Sequence, residues 1–143
     1  MPDSFANQFM VAVIESPLHP LVGTRLAVVR VEGRRTGRIY ATPINVDREG
    51  DGWMATSLKS RTWWRNLRNG QRARLTVGGK RITVEAVVEE GSGPVEAGLL
   101  VYFGRHPTEY RHFGIRVGAD GRPLDEDVRR VAAERVIIRL KPT

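Results

Sequence analysis

Side chains at every second position set the first pattern along this chain. Tyr40, Thr42, Ile44 and Val46 fall on one face of the segment 38–47, Ala73, Leu75 and Val77 alternate, and so do Ile82, Val84, Ala86 and Val88. A period of two is the mark of a strand that buries one face. Gly78-Gly79 separates the last two runs and predicts a tight hairpin, because both central residues of such a turn take positive φ. Leu26 to Val31, Trp53 to Ser57, and Val136, Ile138 and Leu140 bring the predicted strands to six. Pro43 has no amide proton for a ladder, which argues for an edge position or an irregular ladder there. Glu49-Gly50-Asp51-Gly52 reads as a turn.

Helical spacing appears between and around these strands. Phe5, Phe9, Val13 and Ile14 predict a helix over 4–15, which Pro17 and Pro20 interrupt. Arg61 to Arg68 reads as a short helix with Trp63, Trp64 and Leu67 inward, Ser60 as its cap and Asn69-Gly70 as its stop. Pro94 suits a first helical position, opening a helix through Val95 to Phe103 that ends at Gly104. Pro107 opens a second short helix with Tyr110 and Phe113, and Asp125 to Glu134 is a polar one. Short strands joined by tight turns, without regular helical crossovers, argue for an antiparallel sheet that closes into a small barrel. The expected fold is mainly β with flanking helices (α+β). It forms one domain over 1–143, with the N-terminal helix 4–15 and a helical segment 94–134 before the last strand.

Composition narrows the chemistry. The 143 residues include no cysteine, which excludes disulfides, thiolate metal sites and a cysteine nucleophile. No apolar run reaches the roughly 20 residues that span a bilayer. The N-terminus also lacks the basic start and small-residue cleavage site of a signal peptide. A cytoplasmic protein is expected. The three histidines, His19, His106 and His112, are not at metal-ligand spacing, and no metal is expected. Nucleophile-elbow, phosphate-loop and dinucleotide glycine signatures are all missing. Any enzymatic chemistry would therefore come from a cofactor.

Charge points to where such a cofactor would sit. From Arg25 to Arg81 there are 14 basic and four acidic residues, a net of +10 within a chain whose overall net charge is +7. This half suits an anionic partner. Within it, Gly33-Arg34-Arg35-Thr36-Gly37-Arg38 places three cations and a hydroxyl in a glycine-bracketed turn. Loop amides, a hydroxyl and guanidinium forks are the parts of a phosphate site, although the same residues also describe a plain solvated turn. The second notable segment, Ser57 to Leu67, mixes hydroxyls, cations and the adjacent pair Trp63-Trp64. On one helix the two rings cannot face the same core. One is expected inside, the other lining a pocket for a flat ring or packing the barrel mouth.

Gly33-Arg34-Arg35-Thr36-Gly37-Arg38, then Thr42-Pro43, then Trp63-Trp64-Arg65-Asn66-Leu67 resembles the deazaflavin-dependent nitroreductase family of split β-barrel flavin and deazaflavin oxidoreductases. Ser16-Pro17-Leu18-His19 and Gly79-Lys80-Arg81 fit the same order. The resemblance implies an FMN-binding-like split barrel and coenzyme F-420, with FMN as the alternative. By match, Arg34, Arg35, Thr36, Gly37 and Arg38 would hold the cofactor's phosphate-bearing tail. Thr42, Pro43 and Ile44 would border its ring, Thr56, Ser57 and Lys59 would add hydroxyl and cationic contacts, and Trp64 and Asn66 would complete the site. No catalytic side chain is implied. Tyr102, Tyr110 and Phe113 are weak candidates for a substrate-side wall.

The expected reaction passes a hydride from reduced F-420 to a small-molecule acceptor: a quinone, an enone or a nitro compound. Leu58 to Thr62 is shorter than the corresponding family loop and lacks glycine, which keeps a non-catalytic flavin or deazaflavin carrier open as the alternative. An FMN-dependent reductase stays open beside it. A nucleic-acid module ranks behind these, since no recognised motif accompanies the basic half, and nucleic acid is not an expected partner. Membrane-surface association rests on the amphipathic N-terminal segment alone. The sequence assigns no oligomeric state.

Overall fold

The computed structural model of the chain describes residues 5–143. Two compact units emerge from it: one takes the chain through Thr56, Arg61–Val88 and Ile138–Thr143, the other Ser57–Ser60 and Glu89–Ile137.

The first unit carries helix α1 (Phe5–Glu15) and strands β1 (Leu26–Glu32), β2 (Ile39–Asn45), β3 (Asp47–Glu49) and β5 (Arg72–Val77), together with β4 (Gly52–Leu58) through Thr56, β6 (Lys80–Glu89) through Val88 and β7 (Arg135–Pro142) from Ile138. The sheet order is β2-β1-β5-β6-β7-β4-β3. Its ends, β2 and β3, are separated in sequence by Val46 alone, so the sheet has to curl to bring its two margins together. The result is a curled antiparallel half-barrel, as the alternating pattern predicts.

The single run expected over 38–47 is two strands. The Val46 amide donates to the Arg25 carbonyl at 2.8 Å, and beyond that point the chain leaves β1 and pairs with β4 instead. The alternation continues through the corner, with Thr42, Ile44 and Val46 all buried, so the face pattern gives no sign of the change of partner. Pro43 lies in β2 at the sheet margin, opposite Val28, as its missing amide requires. Gly78 and Gly79 both take positive φ, 55° and 78°, and join β5 to β6 in the expected two-residue hairpin.

Helix α1 packs on β1, β2 and β5 through the buried Ile14. The next residue, Glu15, accepts from Arg30 Nε of β1 at 2.8 Å, a bond that ties the helix to the sheet. The helix stops before Pro17 as expected, while the predicted start at residue 4 lies outside the described residues.

The segment predicted as a helix over 61–68 is a short 3₁₀ helix, Trp63–Leu67. Its N-cap is Thr62, not Ser60, and no side chain caps it. Asn69 and Gly70, at φ 64° and 68°, end it as expected. Both tryptophans are buried, Trp63 at 9% and Trp64 at 2% exposure, where one of them was expected to line a pocket or to pack the barrel mouth. A 3₁₀ segment has three residues per turn, so neighbouring side chains diverge widely. This one is sunk on more than one side, and both rings find cover.

In the second unit, α2 (Ser92–Arg105) packs on α3 (Asp125–Glu134) through buried Val95, Leu99, Phe103, Val128 and Val131. Helix α2 begins at Ser92, which makes Pro94 its third residue rather than its first. That position still suits proline, because the first-turn amides have no partner within the helix. The chain before α3 is clamped to it. Asp127, 1% exposed, accepts from the Arg116 backbone amide at 2.8 Å and from Arg116 Nε at 2.9 Å. These donors hold its carboxyl well below the usual carboxylate range, the Arg116 side-chain hydrogen bonds first among the causes.

Candidate functional site

The turn between β1 and β2 is closed by its own backbone. The Gly33 amide donates to the Arg38 carbonyl at 2.7 Å and the Gly37 amide to the Gly33 carbonyl at 2.9 Å. Gly37 takes φ 69°, which its lack of a Cβ permits. Thr36 Oγ1 accepts from the Arg38 amide at 3.1 Å and lies 3.5 Å from the Tyr40 hydroxyl. A further bond comes from outside the turn, where the Arg34 amide donates to Asn66 Oδ1 of the 3₁₀ helix at 3.2 Å.

These bonds narrow the groups that the turn can offer to a ligand. The amides of Gly33, Arg34, Gly37 and Arg38 are all committed to holding its shape, and the Thr36 hydroxyl works for the turn as well. The groups turned to solvent are the guanidinium side chains of Arg34, Arg35 and Arg38, each exposed. Arg38 leans on Tyr40, with Cζ 5.6 Å from the ring centroid. An anion approaching this turn would meet guanidinium forks.

The Asn66 link brings the turn to the 3₁₀ helix that carries Trp64. Trp64 Nε1 is fully enclosed and has no hydrogen-bond partner. A buried donor left in that state costs about 1–3 kcal/mol. Arg65 and Arg68 lie over the same ring, their Cζ atoms 5.6 and 4.9 Å from its centroid. Neither arginine figured among the sequence candidates. Arg68, four residues after Trp64, was the available signal, since that spacing brings side chains together on a helix. Two arginines thus lie over one buried indole, and Asn66 is the pin between that helix and the arginine-bearing turn.

The remaining candidates are placed as follows. Thr42 and Ile44 are buried on the inward face of β2, and Pro43 is half-buried at its margin. Thr56 lies on β4 and is half-buried. Ser57 and Lys59 belong to the second unit, where Ser57 Oγ donates to the Leu58 carbonyl at 3.1 Å and the Lys59 amide to the Glu134 carbonyl at 2.9 Å. Tyr102, Tyr110 and Phe113, also in the second unit, form an aromatic cluster around Phe103. The Tyr102 hydroxyl donates to Glu109 Oε1 at 2.9 Å, so that ring and its polar tip are both engaged in packing. Among the described residues no cluster of histidine and carboxylate side chains is arranged to hold a metal ion. None of the described helices is long and apolar enough to cross a membrane.

A sequence profile of the F420H(2)-dependent quinone reductase family matches residues 11–118. No curated protein sequence matches the chain. Among solved structures, the Agrobacterium tumefaciens protein Atu2129, of unknown function, is similar over 98% of this chain at 18% identity, with a TM-score of 0.55. This chain spans 55% of that relative's length. A putative pyridoxamine 5'-phosphate oxidase from Listeria innocua matches 82% of this chain and 83% of its own, at 12% identity and a TM-score of 0.53. A FAD and heme binding protein from Mycobacterium smegmatis matches 90% of this chain and 67% of its own, at 17% identity and a TM-score of 0.53. At these identities the likeness establishes the split-barrel fold.

Proposed function

The chain belongs to the F420H(2)-dependent quinone reductase family, and from that premise we propose that it reduces a quinone, with enones and nitro compounds as further acceptors, using reduced coenzyme F-420. When bound, the deazaflavin supplies the hydride. The observation that carries the reading is the guanidinium-lined turn pinned by Asn66 to the helix of Trp64, whose indole N–H is buried without an acceptor. A phosphate-bearing cofactor suits the guanidinium-lined turn, which needs an anion.

In this reading Arg34, Arg35 and Arg38 neutralise the tail, and Thr36 and Gly37 shape the turn that presents them. Thr42, Pro43 and Ile44 give the ring an apolar border from β2, and Thr56 adds a hydroxyl. Asn66 pins the turn to the 3₁₀ helix, and Trp64 completes the site from that helix. Ser57 and Lys59 remain proposed contacts, and Tyr102, Tyr110 and Phe113 a proposed acceptor-side wall. The protein's own contribution is binding, orientation and exclusion of water, with no side chain asked to transfer a proton.

Calorimetric titration with F-420 and with FMN tests the assignment. F-420 is expected to bind more tightly than FMN, and Arg34→Ala/Arg35→Ala to weaken it about tenfold or more, at roughly 1.5–3 kcal/mol per charged hydrogen bond less solvent screening. Arg129→Ala, an exposed cation on α3, serves as the control. Trp64→Phe is expected to reduce turnover with menadione more than affinity. A double arginine variant that binds like the unmodified protein refutes the tail site. Reduced cofactor that menadione oxidises no faster on the protein than in solution makes the protein a carrier.

A further inference from the structure

At one end of the sheet the β3–β4 and β5–β6 turns, the residues leading into β1 and the end of β7 enclose a cleft of about 660 Å³. That volume lies in the range of small-molecule sites, about 300–1,000 Å³. None of the residues assigned above to the deazaflavin lines it. Its inner wall is apolar and buried: Val46 from the corner after β2, Trp53 from β4 and Val77 from β5.

The hairpin register puts a cation on the same wall. Val77 pairs directly with Lys80, so the two share a face, and Ile82, two residues further along β6, continues it. The Lys80 stem can lie along apolar surface with its ammonium at the rim. On another side, Arg48 is already engaged. Its Cζ sits 4.7 Å from the Trp53 ring centroid and its Nε donates to the Gly50 carbonyl at 3.2 Å.

We propose that this cleft is a second small-molecule site, for a flat aromatic carboxylate. An apolar body follows from Val46, Val77 and Ile82, which offer contact area rather than hydrogen bonds, and flatness from the planar Arg48 guanidinium stacked over the Trp53 ring. The charge follows from the lining. Arg25, Arg48 and Lys80 face Asp47 and Asp51, three cations to two carboxylates, within the segment that carries a net +10. A surplus of one positive charge suits a monoanion and disfavours both a cation and a polyphosphate. Lys80 is the group placed to meet the carboxylate. The proposal stands independently of the F-420 reading.

Calorimetry of the full chain with 2-naphthoate and with neutral 2-naphthalenemethanol tests it. Naphthoate is expected to bind one molecule per chain and to outbind the alcohol. Lys80→Gln, a change at an exposed position, is expected to weaken naphthoate about three- to tenfold while leaving the alcohol unaffected. Ile82→Trp, which fills the cleft from its wall, is expected to abolish both. Arg34→Ala/Arg35→Ala is expected to change neither. The proposal is overturned if naphthoate binds no better than the alcohol, if Lys80→Gln leaves it unchanged, or if the double arginine variant weakens it, since the anion would then sit at the β1–β2 turn.

Discussion

Substituting alanine for Gly33 tests whether the β1–β2 turn is a built scaffold or a passive loop. Gly33 is buried and lies outside the left-handed region, so the cost of a side chain there is steric. An added Cβ would stand 2.5 Å from Tyr40 Cε2 and 3.2 Å from Cδ2. Ordinary carbon–carbon contact is about 3.5–4 Å, so the ring has to retreat by roughly 1 Å. Tyr40 is half-buried and has room to swing, at the loss of its contact with Thr36 Oγ1 and of the Arg38 guanidinium above it. The lower part of the overpacking range applies, about 1–2 kcal/mol, or about 3–6 °C in Tm for a chain of this length. Gly104→Ala in α2 is the matched control, because its added Cβ meets nothing within 4 Å. It is expected to hold or raise Tm, as alanine is the better helix former. The assay is thermal unfolding together with F-420 titration, and the decisive variant is Gly33→Ala/Tyr40→Leu. Removing the ring's outer edge should restore most of the lost stability, a coupling that a double-mutant cycle reads directly. Gly33→Ala with unchanged Tm and affinity refutes the reasoning. So does a penalty that persists when Tyr40 is leucine.

The Arg116–Asp127 clamp makes stability depend on pH. The native carboxyl titrates below its unfolded value, so its contribution is present above the ordinary carboxylate pKa near 4 and is lost as pH falls below it. Asp127→Asn should therefore lower Tm at pH 7, with the gap to the unmodified protein narrowing towards pH 2 in a series of melting scans. The one-domain reading predicts a single calorimetric transition whose calorimetric and van't Hoff enthalpies agree. Two resolved transitions would make the two units separate domains. Gly79→Ala should destabilise the β5–β6 hairpin on two counts, φ 78° and a Cβ only 2.6 Å from His19 Nε2, and hydrogen exchange of the β5 and β6 amides should rise with it.

Much of the fold is legible because burial on one face forces a period of two. β5, the Gly-Gly turn and β6 were readable residue by residue, since the turn type demands the glycines and the strands demand the alternation. What escaped was the corner at Val46. A strand that changes partner without changing its buried face keeps its alternation, and only the three-dimensional pairing of β3 with β4 reveals the break. The 3₁₀ segment escaped for a related reason. Over five residues, spacings of three and of 3.6 per turn differ too little to be told apart in sequence, while the burial of Trp63 and Trp64 together with Leu67 shows only in the structure.

The candidate site was legible in its charges and not in its hydrogen bonds. Arginines in a glycine-bracketed turn can be counted from sequence, but whether the turn's amides face a ligand or each other depends on closure. Here the Gly33 and Gly37 amides close the turn on itself. Closure then reassigns the roles. A turn with free amides would bind a phosphate through fixed dipoles and tolerate loss of one arginine. A turn whose amides are already bonded relies on its side chains, whose long stems must be ordered on binding. Asn66 limits that disorder at the backbone by tethering Arg34 to the Trp64 helix across 32 positions of sequence. No local pattern encodes a contact of that range. The same bond links the cation-bearing turn to the helix of the unpartnered indole through one side-chain amide, and a change there should disturb both together.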